Sequence, residues 1–442
     1  MAQIFLDLFY SFGNCLNCFP GSPTLKVNSR SFKILRLLGE GGFSYVYLVE
    51  DTSTHELFAL KKIRCPFGAE SVQQAMREVD AYRLFDHIPT IISAVDHAVA
   101  TERGADEATK TVYVLLPYYR RGNLQDMINA NMVNRTAFPE RHLMMLFLGV
   151  CKALRAMHEY RPGPAERMEM GNEEDHHADG PSSGGGRRGG AGAGGSKMGT
   201  RGKRTEEEEE PEQERPLMEN ENQISSSGPG GKVQSYAHRD IKPGNIMIDD
   251  AGSTPILMDL GSVAPSPVPV TSQSLALQIQ DTAAEHSTMP YRAPELFDVR
   301  TGTVIDTKTD IWSLGCTLYA CLVGKSPFEM RSDETGGTLS LCVLGGDWRF
   351  PDESPGGAKR VNSIGQAKAR AAAGGAASDG GPSDGPGGAG AGGSASISEP
   401  IREIVRRCLK VEPAERPDIN ELITMVEHVI EELPDGGSYG SP

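Results

Sequence analysis

The chain has 442 residues, a formal net charge of −15 at pH 7 and eight scattered cysteines that form no framework of close spacings. The negative charge argues against a general nucleic-acid binder, which needs a basic face, and the cysteine usage suits a reducing, cytosolic compartment. No apolar run reaches the roughly 18 residues of a membrane-spanning helix.

The first 29 residues form a segment of their own. An apolar run from Ile4 to Phe12 is too short to span a bilayer and long enough to lie in the headgroup region. Cys15 and Cys18 follow it, and cysteines beside an interfacial segment are candidates for S-acylation. Because two acyl chains give stable attachment, residues 1–29 are predicted to anchor the chain to a membrane surface. The alternative is a segment that docks on the folded domain and carries two ordinary thiols.

Residues 30–64 alternate between apolar and polar side chains as strands do. A glycine-rich turn interrupts them, and its Gly-x-Gly spacing lets backbone N–H groups come close to phosphates. The candidate phosphate-binding residues of this turn are Gly39, Glu40, Gly41, Gly42, Phe43, Ser44 and Val46.

A lysine and a glutamate follow at spacings that suit an ion pair. Ala59 and Lys61 lie on a predicted strand, and residues 70–84 have a helical period that carries Glu78. A strand lysine paired with a glutamate of the next helix can be oriented onto nucleotide phosphates. Glu78 is favoured over Glu70, which lies too close to the end of the strand.

Two further elements and two interruptions follow in the chain. Residues 111–116 are predicted as an apolar strand, and residues 141–158 as a helix with one buried stripe. Residues 161–235 and 353–397 then break every pattern with glycine-rich tracts. Such segments cannot bury enough apolar area to offset their ordering entropy, so both are predicted to be disordered insertions.

The stretch from His238 to Asn245 carries the chemistry. Asp240 is a candidate base for a hydroxyl group, Lys242 is a cation, and Asn245 offers an amide oxygen. Asp259 offers a second oxygen ligand for Mg²⁺, a hard cation that prefers oxygen. Phosphoryl transfer needs these groups close together, because it is catalysed mainly by positioning and by neutralising charge.

This stretch resembles the catalytic loop of a eukaryotic protein kinase, and the other kinase motifs occur in kinase order. The matching positions are the Gly39 turn, Lys61, Glu78, His238-Arg239-Asp240, Asn245, Asp259-Leu260-Gly261, Ala293-Pro294-Glu295, Asp310 and Arg416. Lys242 within Asp-Ile-Lys-Pro-Gly-Asn is the serine/threonine form of the loop.

The resemblance implies an α+β fold, the two-lobed eukaryotic protein kinase fold. The β-rich N-lobe would span about residues 30–116 and the helical C-lobe about residues 120–433. The kinase domain then covers residues 30–433, contains the two disordered insertions, and is followed by a tail at residues 434–442.

It also implies ATP and Mg²⁺ as cofactors. Val46 would cover the adenine, and Leu116 would be the gatekeeper. The carbonyl of Pro117, which has no N–H to offer, and the N–H of Tyr119 would hold the adenine edge.

Other kinase residues are expected to be structural. Asp310 would hold the backbone of the turn that contains His238 and Arg239. Glu295 needs a buried cation, and Arg416 is its match. An arginine at position 239 can pair with a phosphorylated residue of the activation segment, for which the unranked candidates are Ser272, Ser274, Thr282, Ser287 and Thr288.

Closer detail resembles the Numb-associated kinase family, in particular its branch of myristoylated and palmitoylated serine/threonine kinase 16 enzymes. The stretches that carry this closer resemblance are Gly39–Val46, Arg77–Asp80, Leu115–Pro117, Tyr236–Asp240, Met258–Ser262 and Tyr291–Phe297. The start of the chain resembles palmitoylated fungal members of the vacuolar membrane. This implies an autophosphorylating kinase on the cytoplasmic face of endomembranes, at the vacuole or Golgi, that acts in membrane traffic.

The sequence therefore predicts a protein serine/threonine kinase whose partners are protein substrates and a membrane surface. The alternative is a pseudokinase-like scaffold that binds nucleotide and partners without efficient phosphoryl transfer. A kinase for lipids or small molecules is a further alternative, and Lys242 with the Thr288 region argues for protein.

Overall fold

The computed structural model of the chain describes residues 24–42, 44–101, 109–161, 234–353 and 397–434. Cys15, Cys18 and Phe43 lie outside these residues, as do the tail beyond residue 434 and all but the ends of the two predicted insertions. Within the described ranges, no helix is both long and apolar enough to cross a membrane.

A six-stranded antiparallel sheet forms the N-terminal lobe, in the order β1-β2-β3-β4-β6-β5. The two edge strands approach each other, and Nδ2 of Asn28, directly after the first strand, donates hydrogen bonds to Oδ1 of Asp96 (2.8 Å) and to the carbonyl of His97 (3.0 Å) on the opposite edge. The first strand begins ahead of the predicted domain start at residue 30. The strands are β1 (Thr24–Val27), β2 (Arg30–Glu40), β3 (Ser44–Asp51), β4 (Leu57–Cys65), β5 (Asp96–Thr101) and β6 (Lys110–Pro117).

The side-chain period of two along β4 decides which way Lys61 points. Phe58 and Leu60 belong to an apolar cluster on one face of the sheet, where Phe58 packs edge-to-face against Phe32 with 6.0 Å between ring centres. Ala59 belongs to the larger core on the other face. Lys61, two residues further on, therefore faces that core as well.

Among the described residues, one helix completes the N-terminal lobe and the others belong to the C-terminal lobe. Helix α1 (Ala69–Leu84) packs against β4, β6 and the turn at Leu260–Ser262. The helices of the C-terminal lobe are α2 (Leu124–Asn134), α3 (Glu140–His158), α4 (Gln273–His286), α5 (Lys308–Val323), α6 (Pro327–Thr335), α7 (Leu339–Leu344), α8 (Glu399–Cys408) and α9 (Ile419–Glu432). The described part of this lobe also contains three short two-stranded sheets. They are formed by β7 (Ser235–Ala237) with β10 (Ala264–Ser266), β8 (Ile246–Ile248) with β9 (Pro255–Leu257), and β11 (Val268–Pro269) with β12 (Val304–Ile305).

The main core extends from the N-terminal lobe into the C-terminal lobe, where α3, α5, α8 and α9 share it. The predicted stripe of α3 is buried as expected, and its members are Leu143, Leu146, Phe147, Val150, Leu154 and Met157. Helix α3 packs on α9, and α5 packs on α8. The α+β class and the two-lobed arrangement predicted from the sequence are confirmed.

Helix α4 lies inside the activation segment (residues 259–295), for which no helix is predicted from the sequence. Ser272 caps it by accepting a hydrogen bond from the N–H of Leu275. Its apolar face contributes Ala276 and Ile279 to a small cluster that also contains Leu296. The signal was present in the sequence as apolar residues at helical spacing after a capping serine.

Candidate active site

A lysine on strand β4 stands between two carboxylates. Nζ of Lys61 lies 2.6 Å from Oε1 of Glu78 and 3.0 Å from Oδ1 of Asp259. Burial by itself would lower the pKa of Lys61, but the carboxylates of Asp259 and Glu78 outweigh it and raise this pKa above its usual value. Lys61 in turn lowers the pKa of Asp259 to about 2, against the effect of burial. Lys61 and Asp259 are therefore both charged at neutral pH.

The loop after β7 holds Asp240 among three polar side chains. Nζ of Lys242 donates to Oδ2 of Asp240 at 2.8 Å and to Oγ1 of Thr288 at 2.6 Å. The N–H of Thr288 donates to Oδ1 of Asp240 at 2.8 Å. Nδ2 of Asn245 donates to Oδ2 and to the backbone carbonyl of Asp240, at 3.0 and 2.9 Å. These bonds fix the orientation of a carboxylate that can accept a hydrogen bond from a substrate hydroxyl.

Asp310 holds the backbone of this loop from helix α5. Its Oδ2 accepts from the N–H of His238 at 2.8 Å and from Nε2 of His158 at 2.9 Å, and its Oδ1 accepts from the N–H of Arg239 at 2.8 Å. Burial opposes the ionisation of Asp310, but the hydrogen bond from His158 and the neighbouring donors outweigh it and lower the pKa. Arg239 has a φ of 67°, a left-handed conformation that costs energy for a residue with a side chain.

His238 and Ser262 join the catalytic loop to the turn that carries Asp259. The N–H of Asp240 donates to Nδ1 of His238 at 3.3 Å, so the proton lies on Nε2, which donates to the carbonyl of Met258 at 2.9 Å. Oγ of Ser262 donates to the carbonyl of His238 at 2.7 Å. The sequence predicts no role for Ser262, although its place directly after the Asp-Leu-Gly triplet is an available signal.

The predicted phosphate-binding turn is a hairpin. Gly39 and Glu40 end β2, and Ser44 and Val46 lie at the start of β3. The N–H of Gly41 donates to the carbonyl of Ser44 at 2.7 Å and closes the turn. A Cβ added to Gly39 or to Gly42 would have no atom of the described residues within 4 Å, so there is space beside the turn.

The residues predicted to contact adenine lie together beside this hairpin. Ala59 and Leu116 belong to the main core, and Val46 and Tyr119 pack against it. Within the sheet, Val46 is opposite Lys61 and Ala59 is opposite Leu116, and Pro117 ends β6. An apolar surface thus adjoins the lysine that would bind phosphates.

Asn245 and Asp259 offer oxygen atoms that fit Mg²⁺. The amide nitrogen of Asn245 makes the bonds to Asp240, so its oxygen remains for a cation. The side chain of Asp259 is 42% exposed and uses Oδ1 for Lys61, which leaves Oδ2. Magnesium is typically held by one or two such ligands together with substrate phosphates, so these residues suit Mg²⁺ bound with ATP.

Arg239 lines a small cavity, together with Thr282 and Ser287 from the set of candidate phosphorylation sites. Its Nε finds no hydrogen-bond acceptor among the described residues. Burial lowers the pKa of Arg239, although Asp310 acts in the opposite direction. The other candidates do not line this cavity, namely Ser272, Ser274 and Thr288.

Glu295 and Arg416 form a buried structural ion pair. NH1 and NH2 of Arg416 lie 2.7 and 2.8 Å from the two carboxylate oxygens of Glu295. The guanidinium also donates to the carbonyls of Lys308, Lys410 and Val411. The pair therefore joins Glu295, at the end of the activation segment, to Arg416, shortly before α9.

Comparison with known proteins agrees with this geometry. Residues 32–161 and 233–426 match the family model described as the protein kinase domain. The serine/threonine-protein kinase ppk13 of Schizosaccharomyces pombe is 30% identical over 401 residues, which cover 91% of each chain. The serine/threonine-protein kinase ENV7 of Saccharomyces cerevisiae is 29% identical over 97% of this chain and 99% of its own. The human serine/threonine-protein kinase 16 is 32% identical over 74% of this chain and 80% of its own.

Proposed function

The chain belongs to the protein kinase domain family, and we propose that it transfers the γ-phosphate of ATP to serine and threonine side chains of proteins. The observation that carries the proposal is a pair of bridging lysines. Lys61 joins Glu78 to Asp259, and Lys242 joins Asp240 to Thr288. The relatives compared above are named serine/threonine-protein kinases.

Each side chain has a defined task in this reaction. Asp240 accepts a hydrogen bond from the substrate hydroxyl and aligns it with the γ-phosphate. Lys242 places positive charge where the transferred phosphoryl group gathers negative charge, and Lys61, fixed by Glu78, positions the α- and β-phosphates. Asn245 and Asp259 would hold Mg²⁺, which when bound neutralises phosphate charge.

Radiolabelled phosphate incorporation with ATP and Mg²⁺ tests the proposal. We expect label on serine and threonine in the wild type and in Asp298→Asn, an exposed matched control whose carboxylate pairs with Arg300. In Asp240→Asn and in Lys61→Met the rate of phosphate incorporation should fall by at least about 100-fold, since each substitution removes a group on which positioning depends. An inactive wild type that still binds ATP would contradict the proposal and favour the scaffold alternative.

We further propose that acyl groups on Cys15 and Cys18 attach the kinase to endomembranes, at the vacuole or Golgi, where it would act in membrane traffic. The support is the apolar run and paired cysteines at the start of the sequence. The cysteines of the described residues are all buried, namely Cys65, Cys151, Cys316, Cys321, Cys342 and Cys408. Accessible thiols for acylation are therefore expected only near the N-terminus.

Cell fractionation with metabolic acyl labelling tests this second proposal. The Cys15→Ser/Cys18→Ser protein should lose both its acyl label and its membrane fraction, while Cys65→Ser should keep both. Imaging of the tagged wild type would distinguish vacuole from Golgi. A double variant that fractionates as the wild type does would rule out the anchor.

A further inference from the structure

Side-chain hydrogen bonds close the C-terminal end of helix α4. Oγ of Ser287, the residue directly after α4, donates to the carbonyl of Ala283 at 2.6 Å and accepts from Nε of Arg292 at 2.7 Å. NH2 of Arg292 donates to the carbonyl of Ser287 at 2.9 Å and to that of Ala284 at 3.3 Å. The last carbonyls of a helix have no partner within it, and a cation near this end is favourable. Arg292 therefore acts as a cap for α4.

Arg292 is fixed on its other sides as well. Its surface is 7% exposed, and its guanidinium lies over the ring of Phe297, 5.0 Å from the ring centre. Burial lowers the pKa of Arg292, although the charge of Asp240 acts in the opposite direction. Because a guanidinium keeps its charge in proteins, a buried cation in a defined position acts on the catalytic carboxylate.

One peptide group joins this cation to the catalytic loop. The carbonyl of Ser287 and the N–H of Thr288 belong to the same trans peptide, which is planar, so the two groups point in opposite directions. The carbonyl accepts from Arg292, and the N–H donates to Oδ1 of Asp240 at 2.8 Å. Oγ1 of Thr288 also accepts from Nζ of Lys242 at 2.6 Å. Turning the carbonyl away from Arg292 would therefore turn the N–H away from Asp240.

We propose that Arg292 is a positioning residue that, together with Ser287, holds this peptide so that its N–H points at Asp240. It acts through Thr288 rather than by contact with the reacting groups. This inference rests on the proposed kinase activity. In the sequence, Arg292 is only one member of the stretch Tyr291–Phe297 that carries the family resemblance, because nothing local shows that the end of a helix lies against it.

Two substitutions remove this arrangement to different degrees. Arg292→Met deletes every donor of the side chain and keeps much of its length, whereas Ser287→Ala deletes one hydroxyl. Ser272→Ala is the matched control, since Oγ of Ser272 accepts from the N–H of Leu275 at 3.2 Å, at the other end of the same helix.

Initial rates are compared after phosphatase treatment of all proteins, so that the loss of a candidate phosphorylation site does not contribute. We expect kcat to fall by about tenfold or more in Arg292→Met and by about threefold or more in Ser287→Ala, while Ser272→Ala stays within about twofold of the wild type.

Three readouts separate positioning from a general loss of stability. KM for ATP should stay within about twofold in both variants, since the residues that would bind ATP are unchanged. Amide hydrogen exchange at Thr288 should become faster in both variants and remain unchanged in Ser272→Ala. In an Arg292→Met background, Ser287→Ala should change kcat by less than about 1.5-fold, because residues that act through one another are not additive.

The outcomes are distinct. An active wild type whose Arg292→Met variant keeps its kcat overturns the role of Arg292 and leaves the proposed function standing. An equal effect of Ser287→Ala in both backgrounds, or unchanged exchange at Thr288, overturns it as well. If Arg292→Met does not fold, Ser287→Ala decides alone: a lower kcat with faster exchange at Thr288 supports the role, and wild-type values overturn it. A wild type that transfers no phosphate overturns the proposed function and this inference with it.

Discussion

Asp310→Asn is the substitution that most directly tests how the catalytic loop is held. The carboxylate of Asp310 accepts from the N–H groups of His238 and Arg239, at 2.8 Å each, and from Nε2 of His158 at 2.9 Å. An asparagine has the same shape but only one oxygen. In either orientation its NH₂ group faces at least one of these donors, so a buried N–H or ring nitrogen is left without an acceptor.

The expected loss follows from this geometry. An unsatisfied buried donor costs about 1–3 kcal/mol, and hydrogen bonds to a charged group are worth about 1.5–3 kcal/mol each. We therefore expect the free energy of unfolding of the variant to fall by about 3 kcal/mol. A loss of this size lowers Tm by roughly 6–12 °C for a domain of this size. Because Arg239 would no longer be held at its positive φ of 67°, Asp240 should also be displaced, and a shift of about 1 Å can cost on the order of 100-fold in kcat.

Thermal unfolding and initial-rate kinetics measure both effects. Asp306→Asn is the matched control, because Asp306 lies just before α5 and its Oδ1 accepts from the N–H of Lys308 at 2.9 Å, a bond that an amide oxygen can replace. The free energy of unfolding of this control should stay within about 0.5 kcal/mol of the wild-type value, and its kcat should be unchanged. If Asp310→Asn matched the control in both Tm and kcat, the hydrogen bonds would not be what holds the loop.

Three further outcomes are expected from the same structure. Arg416→Ala leaves the carboxylate of Glu295 buried and unpaired and should cost about 3–5 kcal/mol, measured by thermal unfolding against the wild type. Gly315→Ala places a Cβ 2.6 Å from Cβ of Cys408 on α8, and this overpacking should lower the free energy of unfolding by about 1–3 kcal/mol. An unchanged Tm would refute this expectation. The stability that Asp259 gains from Lys61 is complete above its unfolded pKa of about 3.9 and is lost as the pH falls through a folded pKa of about 2. The Tm difference between the wild type and Asp259→Asn should hence be constant above pH ~4 and change below it.

The kinase fold could be predicted because its chemistry fixes residue types at known spacings. Lys61 and Glu78 are recognisable from a strand followed by a helix, and the structure joins them at 2.6 Å. Asp240, Lys242 and Asn245 lie within one short loop, so their proximity was already implied by the chain. The long apolar stripe of α3 likewise needed only its period.

Contacts between distant segments that no kinase motif marks could not be predicted in this way. Ser262 bonds to the carbonyl of His238, and Asn28 bonds to β5 across the sheet. In sequence these are ordinary polar residues, since nothing local distinguishes a serine that faces water from one that meets a buried carbonyl. Their partners are chosen only when the chain brings remote backbone groups together.

The sequence by itself determined the catalytic groups, their order and the two-lobed architecture, because phosphoryl transfer admits few side chains at each position. Only the tertiary structure decided how those groups are held. It placed Oγ of Ser262 against the carbonyl of His238, and it set helix α4 against Leu296. The physical reason is that a hydrogen bond is directional and short, so its partners depend on the packing of segments far apart in the chain.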